Sequence, residues 1–579
     1  MTQQFRRVQS SAILSTVALI FASFGAGAQS PPTALQPVRS PLASVKKPGK
    51  MSAPHLEMRG KVWQLIVDGK PYFARAGELN NSSSSSSAYM ADVWPKLVKA
   101  NLNTVLAVIA WDIIEPQEGR FDFTTVDALI AGARAHGMKL VPLWFGSWKN
   151  GASHYAPYWV KSDQKRFSLV KTVNGNIDTL SAFDQQTRAA DAKAFAALMR
   201  HIGEVDSGER TVIMVQVENE VGVLGDVRDR SDVANAAFAA PVPAQLIDYL
   251  VSRADRLVPE TIDAWKGAGA KTSGGWVDVF GGAMAQEYFQ AWQYAVYINA
   301  VAAAGRAQYD LPMFVNTWLP SERSGLVPGA YPSGGAVPHT QDIWRAGAPA
   351  LDFLSPDIYV TNFAEVLARY NRAGNPVFIP EARPELEGAA NAAFAVSKGA
   401  FGYSPFGVES RIADYDNGPI TKVYQLIRDL EPLIFEHQAA GSIDGAIVDK
   451  THTEEIVHLG GYNLIIGLVQ DRGTPAYLAE KGYGIVMMTG KDEFLVAGCG
   501  IQVSFAAPVP NGDVIGLGPV EEGQFRNGRW VAGRRLNGDE VVFNRNYQKR
   551  SLENQSGTGL RFLKEAPEIQ QVRLYRYQR

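Results

Sequence analysis

Between residues 60 and 440 the chain alternates short apolar runs with longer stretches of helical period. The runs are PYFARAGEL (71–79), NTVLAVIAW (103–111), KLVPLWFGSW (139–148), TVIMVQVENE (211–220), LPMFVNTW (311–318), LDFLSPDIYV (351–360), NPVFIPEA (375–382) and AFGYSPFGVE (400–409). Short, nearly continuous apolar runs suit strands buried on both faces. Between them, Phe195, Leu198, Met199 and Ile202 recur at i, i+3, i+4 and i+7, and Val423, Leu426, Ile427 and Leu430 repeat the spacing. Each set predicts a helix with one apolar face. Strands and helices alternating eight times predict an α/β fold, a (β/α)8 TIM barrel with long loops over residues 53–440. A doubly wound sheet is the alternative, but no G-x-G-x-x-G loop follows the first run.

After residue 440 the pattern changes. GYGIVMMTGKDEFLVAGCGIQVSFAA, GQFRNGRWVAGRRLNGDEVVF and QQVRLYRYQ are short alternating runs joined by Gly, Asn and Asp turns. They predict an all-β, sandwich-like domain over 441–579. At the other end, Arg6 and Arg7 precede an apolar stretch from Ala12 to Phe24 and the small residues Ala26, Gly27 and Ala28. That is the layout of an export signal over residues 1–28, followed by a Pro- and Ser-rich linker over 29–52, so a periplasmic or secreted protein is expected. The tract SSSSSS (82–87) reads as a flexible polar loop.

Composition narrows the chemistry. Among 579 residues, 46% are hydrophobic and the formal net charge is −2, so electrostatics predict neither a nucleic acid nor an anionic membrane as partner. No later stretch is apolar enough to predict a membrane span. One cysteine, Cys499, rules out an intramolecular disulfide, and the 8 histidines are scattered without metal-ligand spacing. No metal or cofactor is expected, and the oligomeric state stays open.

In a barrel of this kind the active site lies at the C-terminal ends of the strands. Two runs end in carboxylates there, at VENE (217–220) and FIPEA (378–382). Strand alternation points Glu218 and Glu220 to one face, so position has to separate them: Glu220 is nearer the rim. Asn219 reaches the same space only if the strand end is kinked. Two carboxylates facing each other across a pocket are the equipment for glycoside hydrolysis, and Glu220 and Glu381 are the candidates. Trp111, Trp148 and Trp318 close strands where a ring can stack on a sugar, and Tyr359 is placed to hydrogen-bond Glu381.

VQVENEVG (215–222) resembles the strand-four signature of glycoside hydrolase family 35, the β-galactosidases, and NTVLAVIAWDIIEPQEGRFDF (103–123) resembles its second-strand motif. The resemblance covers most of residues 60–440. It implies Glu220 as acid/base, Asn219 as a contact to the sugar 2-hydroxyl, and Glu381 as nucleophile of a retaining double displacement through a covalent glycosyl-enzyme. Departures accompany it: Gly146-Ser147-Trp148 stands where many members carry A-E-W, and GELNNSSSSSS replaces a tyrosine-containing loop. Glu78, Asn80 and Trp148 are expected to take over sugar contacts. The implied function is a retaining exo-β-galactosidase that removes terminal galactose from plant-type oligosaccharide or polysaccharide side chains. A β-glucosidase, a β-arabinopyranosidase, an endo-acting glycanase and a non-catalytic carbohydrate-binding protein are the alternatives.

Overall fold

The computed structural model describes residues 52–578 except 322–324, 326, 373, 472–475, 510–512, 527 and 543–557. The expected export signal (1–28) and the linker up to residue 51 lie outside the described residues.

All eight apolar runs contain barrel strands: β1 Ala74–Glu78, β2 Thr104–Ala110, β3 Lys139–Lys149, β4 Val215–Asn219, β5 Met313–Trp318, β6 Phe353–Ile358, β7 as the two halves Phe378–Ile379 and Glu381–Ala382, and β8 Gly402–Tyr403. They pair in parallel in chain order. The halves of β7 are divided at Pro380, which has no N–H for a ladder bond. The first half pairs with β8 and the second with β6, and β8 pairs with β1, which closes the barrel. Bulky and small side chains alternate inside it: Ala74, Ala76, Leu106, Val108, Leu143, Phe145, Phe314, Phe353, Phe378 and Phe401 form one core cluster. Phe314 stacks on Phe353 with centroids 4.9 Å apart, and Phe378 on Phe401 at 5.7 Å. The barrel is thus filled below, and its mouth stands at the strands' C-terminal ends. The predicted helices are Gln185–Asp206, which buries Phe195, Leu198, Met199 and Ile202, and Pro419–Ala440.

A three-stranded antiparallel sheet, His55–Arg59, Val62–Val67 and Lys70–Tyr72, precedes β1. After the barrel come two antiparallel sheets, of six and four strands. Val486, Val496 and Val572 of one and Leu464, Ile466 and Val503 of the other share a single apolar core, which makes the pair a sandwich. Cys499, at the end of the strand Glu493–Cys499, is buried. No helix among the described residues is long and apolar enough to cross a membrane.

The serine tract is not the flexible loop its composition suggests. Ser83–Ser85 form a turn of 3-10 helix, and Ser86 caps the helix Ser87–Lys99 by accepting from the Tyr89 N–H. Ser83 and Ser84 are buried; the Ser83 hydroxyl donates to Glu409 at 2.5 Å and that of Ser84 to the Val108 carbonyl at 2.7 Å. The hydroxyls of Ser83 to Ser86 each meet a specific partner, a property that composition does not carry.

Candidate active site

The end of β4 is bent, and the bend decides what VENE does. Glu218 has φ +63° and Glu220 φ +45°, the left-handed region that side chains rarely occupy, at a cost on the order of 1–3 kcal/mol each. Strand alternation therefore fails, and the two glutamates part. Glu218 turns toward β3, where its carboxyl accepts the backbone N–H of Ser147 at 3.0 Å and of Trp148 at 2.8 Å. Burial, then the neighbouring charge of Asp191, holds that carboxyl well above the usual range. Gly146 is required for this approach, because a Cβ there would come within 2.5 Å of Glu218 Oε1. Gly222 answers a similar need: at φ +152° it lies against Pro332, and a Cβ would meet the Pro332 backbone at 2.3 Å.

Glu220 turns into the barrel mouth instead. Its N–H donates to Asn316 Oδ1 at 2.9 Å, and Asn316 Nδ2 donates to Asp357 Oδ2 at 2.8 Å and Glu381 Oε1 at 3.2 Å. Tyr359 completes the set, its hydroxyl donating to Glu381 Oε2 at 2.9 Å. Asp357 and Glu381 are partners in the β6–β7 register. One carboxylate oxygen from each of Glu220, Asp357 and Glu381 lies within 4.8 Å of the other two. Carboxylates at this spacing can also share a hard cation. Here the protein itself provides compensating groups, with the Asn316 amide donating to two of them and Lys149 nearby.

Charge crowding gives these groups distinct protonation. Burial and the charge of Glu381 push Glu220 up to about 7, against the opposing pull of Lys149 and a hydrogen bond with Asp357. Burial, then Glu381 and Glu220, raise Asp357 well above the carboxylate range, so it donates to Glu220. Burial works against the Lys149 ammonium, but the fields of Glu381, Glu220, Glu78 and Asp357 outweigh it and raise its pKa.

Glu78, at the end of β1, is fully buried, and neither of its oxygens has a partner among the described residues. Burial, then Glu381, raise it well above the usual range. A carboxyl raised in the folded state contributes stability that is fully present below its unfolded pKa of about 4.3 and is lost as pH rises through the folded value. Between pH 5 and pH 8 the Tm of Glu78→Gln is therefore expected to fall less than that of wild type, by roughly 2 °C, in calorimetry at both pH values. Equal falls would place the Glu78 titration outside this range.

Three sequence expectations need correction. Trp111 and Trp148 are 0% exposed. Trp111 donates to Glu115 and packs on Trp144 and Trp159, while Trp148 donates to the Leu180 carbonyl and packs on Tyr294 and Tyr297. Neither ring has a face open to a sugar. Trp318, 37% exposed at the end of β5, does. Asn80 is turned to the barrel's side, its N–H donating to Glu409 and its amide to Ser410. Asn219 and Glu78 remain at the mouth, and both polar atoms of the buried Asn219 amide are without a partner among the described residues.

Three residues of the mouth escaped sequence reasoning. Lys149 lies one residue beyond the third run; Asn316 is a lone amide inside FVNTW; Asp357 shares a strand face with Tyr359. A polar residue interrupting a buried strand near its C-terminal end is the signal common to the last two.

Residues 84–246 match the family model described as Beta-galactosidase, that of glycoside hydrolase family 42. Residues 420–548 match one described as a domain of unknown function, DUF5597. A β-galactosidase of Xanthomonas manihotis is 31% identical over 176 residues, 28% of this chain and 26% of that protein. Beta-galactosidase 11 of Arabidopsis thaliana is 28% identical over 108 residues, 17% of this chain and 12% of that protein. The chain thus spans about a quarter or less of the curated relatives it matches. Among solved structures, the β-galactosidase from Rahnella sp. R3 aligns with a TM-score of 0.44 and 15% identity, over 66% of this chain and 58% of that one. The family model over 84–246 and both curated relatives carry the description β-galactosidase. They correct the family: the resemblance to family 35 rests on short strand-end motifs, whereas the longer match over 84–246 is to the family 42 model.

Proposed function

We propose that this protein is a retaining exo-β-galactosidase acting on terminal galactosyl residues of oligosaccharides. The observation that carries the proposal is the approach of Glu220 and Glu381 oxygens to within 4.8 Å across the barrel mouth. Retaining enzymes place their carboxyls about 5–5.5 Å apart, and inverting ones about 6.5–9.5 Å to admit a water between them.

The roles follow from protonation. Glu220, pushed up to about 7, carries a proton at neutral pH and delivers it to the glycosidic oxygen as the bond from C1 to that oxygen breaks. Glu381 attacks C1 from the other side and forms the ester. The donors Tyr359 and Asn316 keep Glu381 oriented until then. Once the ester has neutralised Glu381, the pKa of Glu220 drops. Glu220 then takes a proton from water, whose oxygen bonds to C1 and releases Glu381. The exposed ring of Trp318 at the rim offers a stacking face to the sugar or its aglycone.

Hydrolysis of p-nitrophenyl β-D-galactoside, β-D-glucoside and α-L-arabinopyranoside by the full chain tests the sugar, with NMR of the first anomer formed. Preferred turnover of the galactoside with the β-anomer first is expected; an α-anomer first would overturn the retaining mechanism, and preference for another glycoside would overturn the choice of galactose. Tyr359→Phe removes one charge-assisted hydrogen bond to the nucleophile and is expected to lower kcat/KM by about 10- to 100-fold with the fold unchanged.

A further inference from the structure

We propose that Lys149, acting with Glu78, grips the hydroxyls of the sugar lying over Glu381 and so determines which sugar the site accepts. The inference rests on the glycosidase reading and deepens it by naming the groups that read the sugar.

Lys149 ends β3 and pairs in register with Asn219, the residue before the acid/base. Its ammonium lies 5.2 Å from the ring centroid of Phe145, an interior residue of the barrel, so it stands inside the mouth. The residue is 7% exposed. Even so, among the described residues no carboxylate oxygen lies within 4.0 Å of its Nζ, and the ammonium makes no hydrogen bond. That is unusual within this chain: Lys139 contacts Asp68 at 3.0 Å, Arg210 contacts the same carboxylate at 2.8 Å, and Arg75 contacts Glu431 at 3.0 Å. A lysine kept only to balance charge would be expected to collapse onto one of the carboxyls around it, because direct contact recovers part of the desolvation cost.

Two further groups of the mouth show the same lack. Glu78 is buried on β1 and Asn219 on β4, and among the described residues neither oxygen of the one and neither amide atom of the other has a partner. Glu78 and Asn219 are thus withdrawn from water with no partner among the described residues, and the unpaired ammonium of Lys149 stands beside them, an arrangement that costs stability unless a polar ligand completes it. Their inventory is complementary: Lys149 only donates, Glu78 accepts when ionised and both donates and accepts when protonated, and Asn219 does both. A ring carrying adjacent hydroxyls, each able to donate and accept, satisfies all three. Lys149 and Glu78 stand too far apart for an ion pair, so neither satisfies the other.

The test compares kcat/KM for p-nitrophenyl β-galactoside and its 3-, 4- and 6-deoxy forms in wild type, Lys149→Met and Glu78→Gln. Lys149→Met is expected to lose about 10- to 100-fold on the parent sugar. On one of the deoxy sugars that loss should shrink to roughly threefold or less, and the same hydroxyl or its neighbour should mask the loss in Glu78→Gln. Equal losses on every deoxy sugar, with an unchanged circular dichroism spectrum, would overturn the inference and leave Lys149 a charge-balancing residue. If Lys149→Met fails to fold, Lys149→Arg keeps the charge and displaces the donors, and the same selective pattern is expected. Should wild type prefer another glycoside, the choice of galactose fails, and the deoxy forms of that sugar decide on Lys149. Should wild type turn over none, calorimetric titration with galactose and glucose reads the same cycle as binding, and no binding of either overturns both readings.

Discussion

Replacing Glu381 by glycine is expected to lower turnover of p-nitrophenyl β-galactoside by about 10,000-fold or more, because the group that forms the bond to C1 is gone. Added azide should restore turnover and release α-galactosyl azide, since a small anion fits the space of the lost side chain and attacks from the same face. The structure favours a clean result. Tyr359 and Asn316, which hydrogen-bond Glu381, remain in place to bind the anion, and Asn316 stays anchored by the Glu220 N–H and by Asp357. Product release is measured by p-nitrophenolate absorbance and the azide identified by NMR. A variant that keeps a tenth or more of wild-type activity would remove Glu381 from the mechanism.

Glu220→Gln is the second large effect. Loss of a general acid typically costs about 100- to 10,000-fold, and the loss depends on the leaving group. A leaving group as weakly basic as p-nitrophenolate departs with little help, so the deficit should be small there and largest on a disaccharide. The pH profile should change as well. In wild type the acid must be protonated in the free enzyme, so kcat/KM holds at acidic pH and falls as pH rises through about 7, where Glu220 loses its proton. In Glu220→Gln that alkaline limb should vanish, because glutamine does not titrate. A limb that persists in the variant would belong to another group, and Asp357 or Glu78 would be next, since burial and Glu381 raise both.

The barrel was legible because all eight strands are apolar runs buried on both faces, the one case in which hydrophobicity alone outlines a strand. Glu381 was legible for the same reason: an apolar approach, Val377 to Ile379, ends in a carboxylate. What closes over the mouth was not. Lys149 and Asn316 gain their roles from the ring closure that brings β3, β5, β6 and β7 to one rim, and no local window contains those neighbours. The parting of Glu218 from Glu220 depends on two left-handed residues that no propensity would place in a strand. Trp111 and Trp148 look like sugar platforms in sequence because a strand-end tryptophan is written identically whether it faces the mouth or the helices. Burial by Trp144, Trp159, Tyr294 and Tyr297 settles which. The serine tract misled because six identical residues suggest disorder, whereas two of them are buried and one caps a helix.

The most direct measurement is to incubate the protein with 2-deoxy-2-fluoro-β-galactosyl fluoride and map the labelled peptide by mass spectrometry. The fluorine at C2 slows both steps, while the fluoride leaving group restores the first, so a glycosyl-enzyme accumulates. The label is expected on Glu381, with inactivation in step with its appearance. A label on Asp357 or Glu78, or turnover of the fluoride with no label at all, would contradict the assignment of Glu381 as nucleophile of a double displacement.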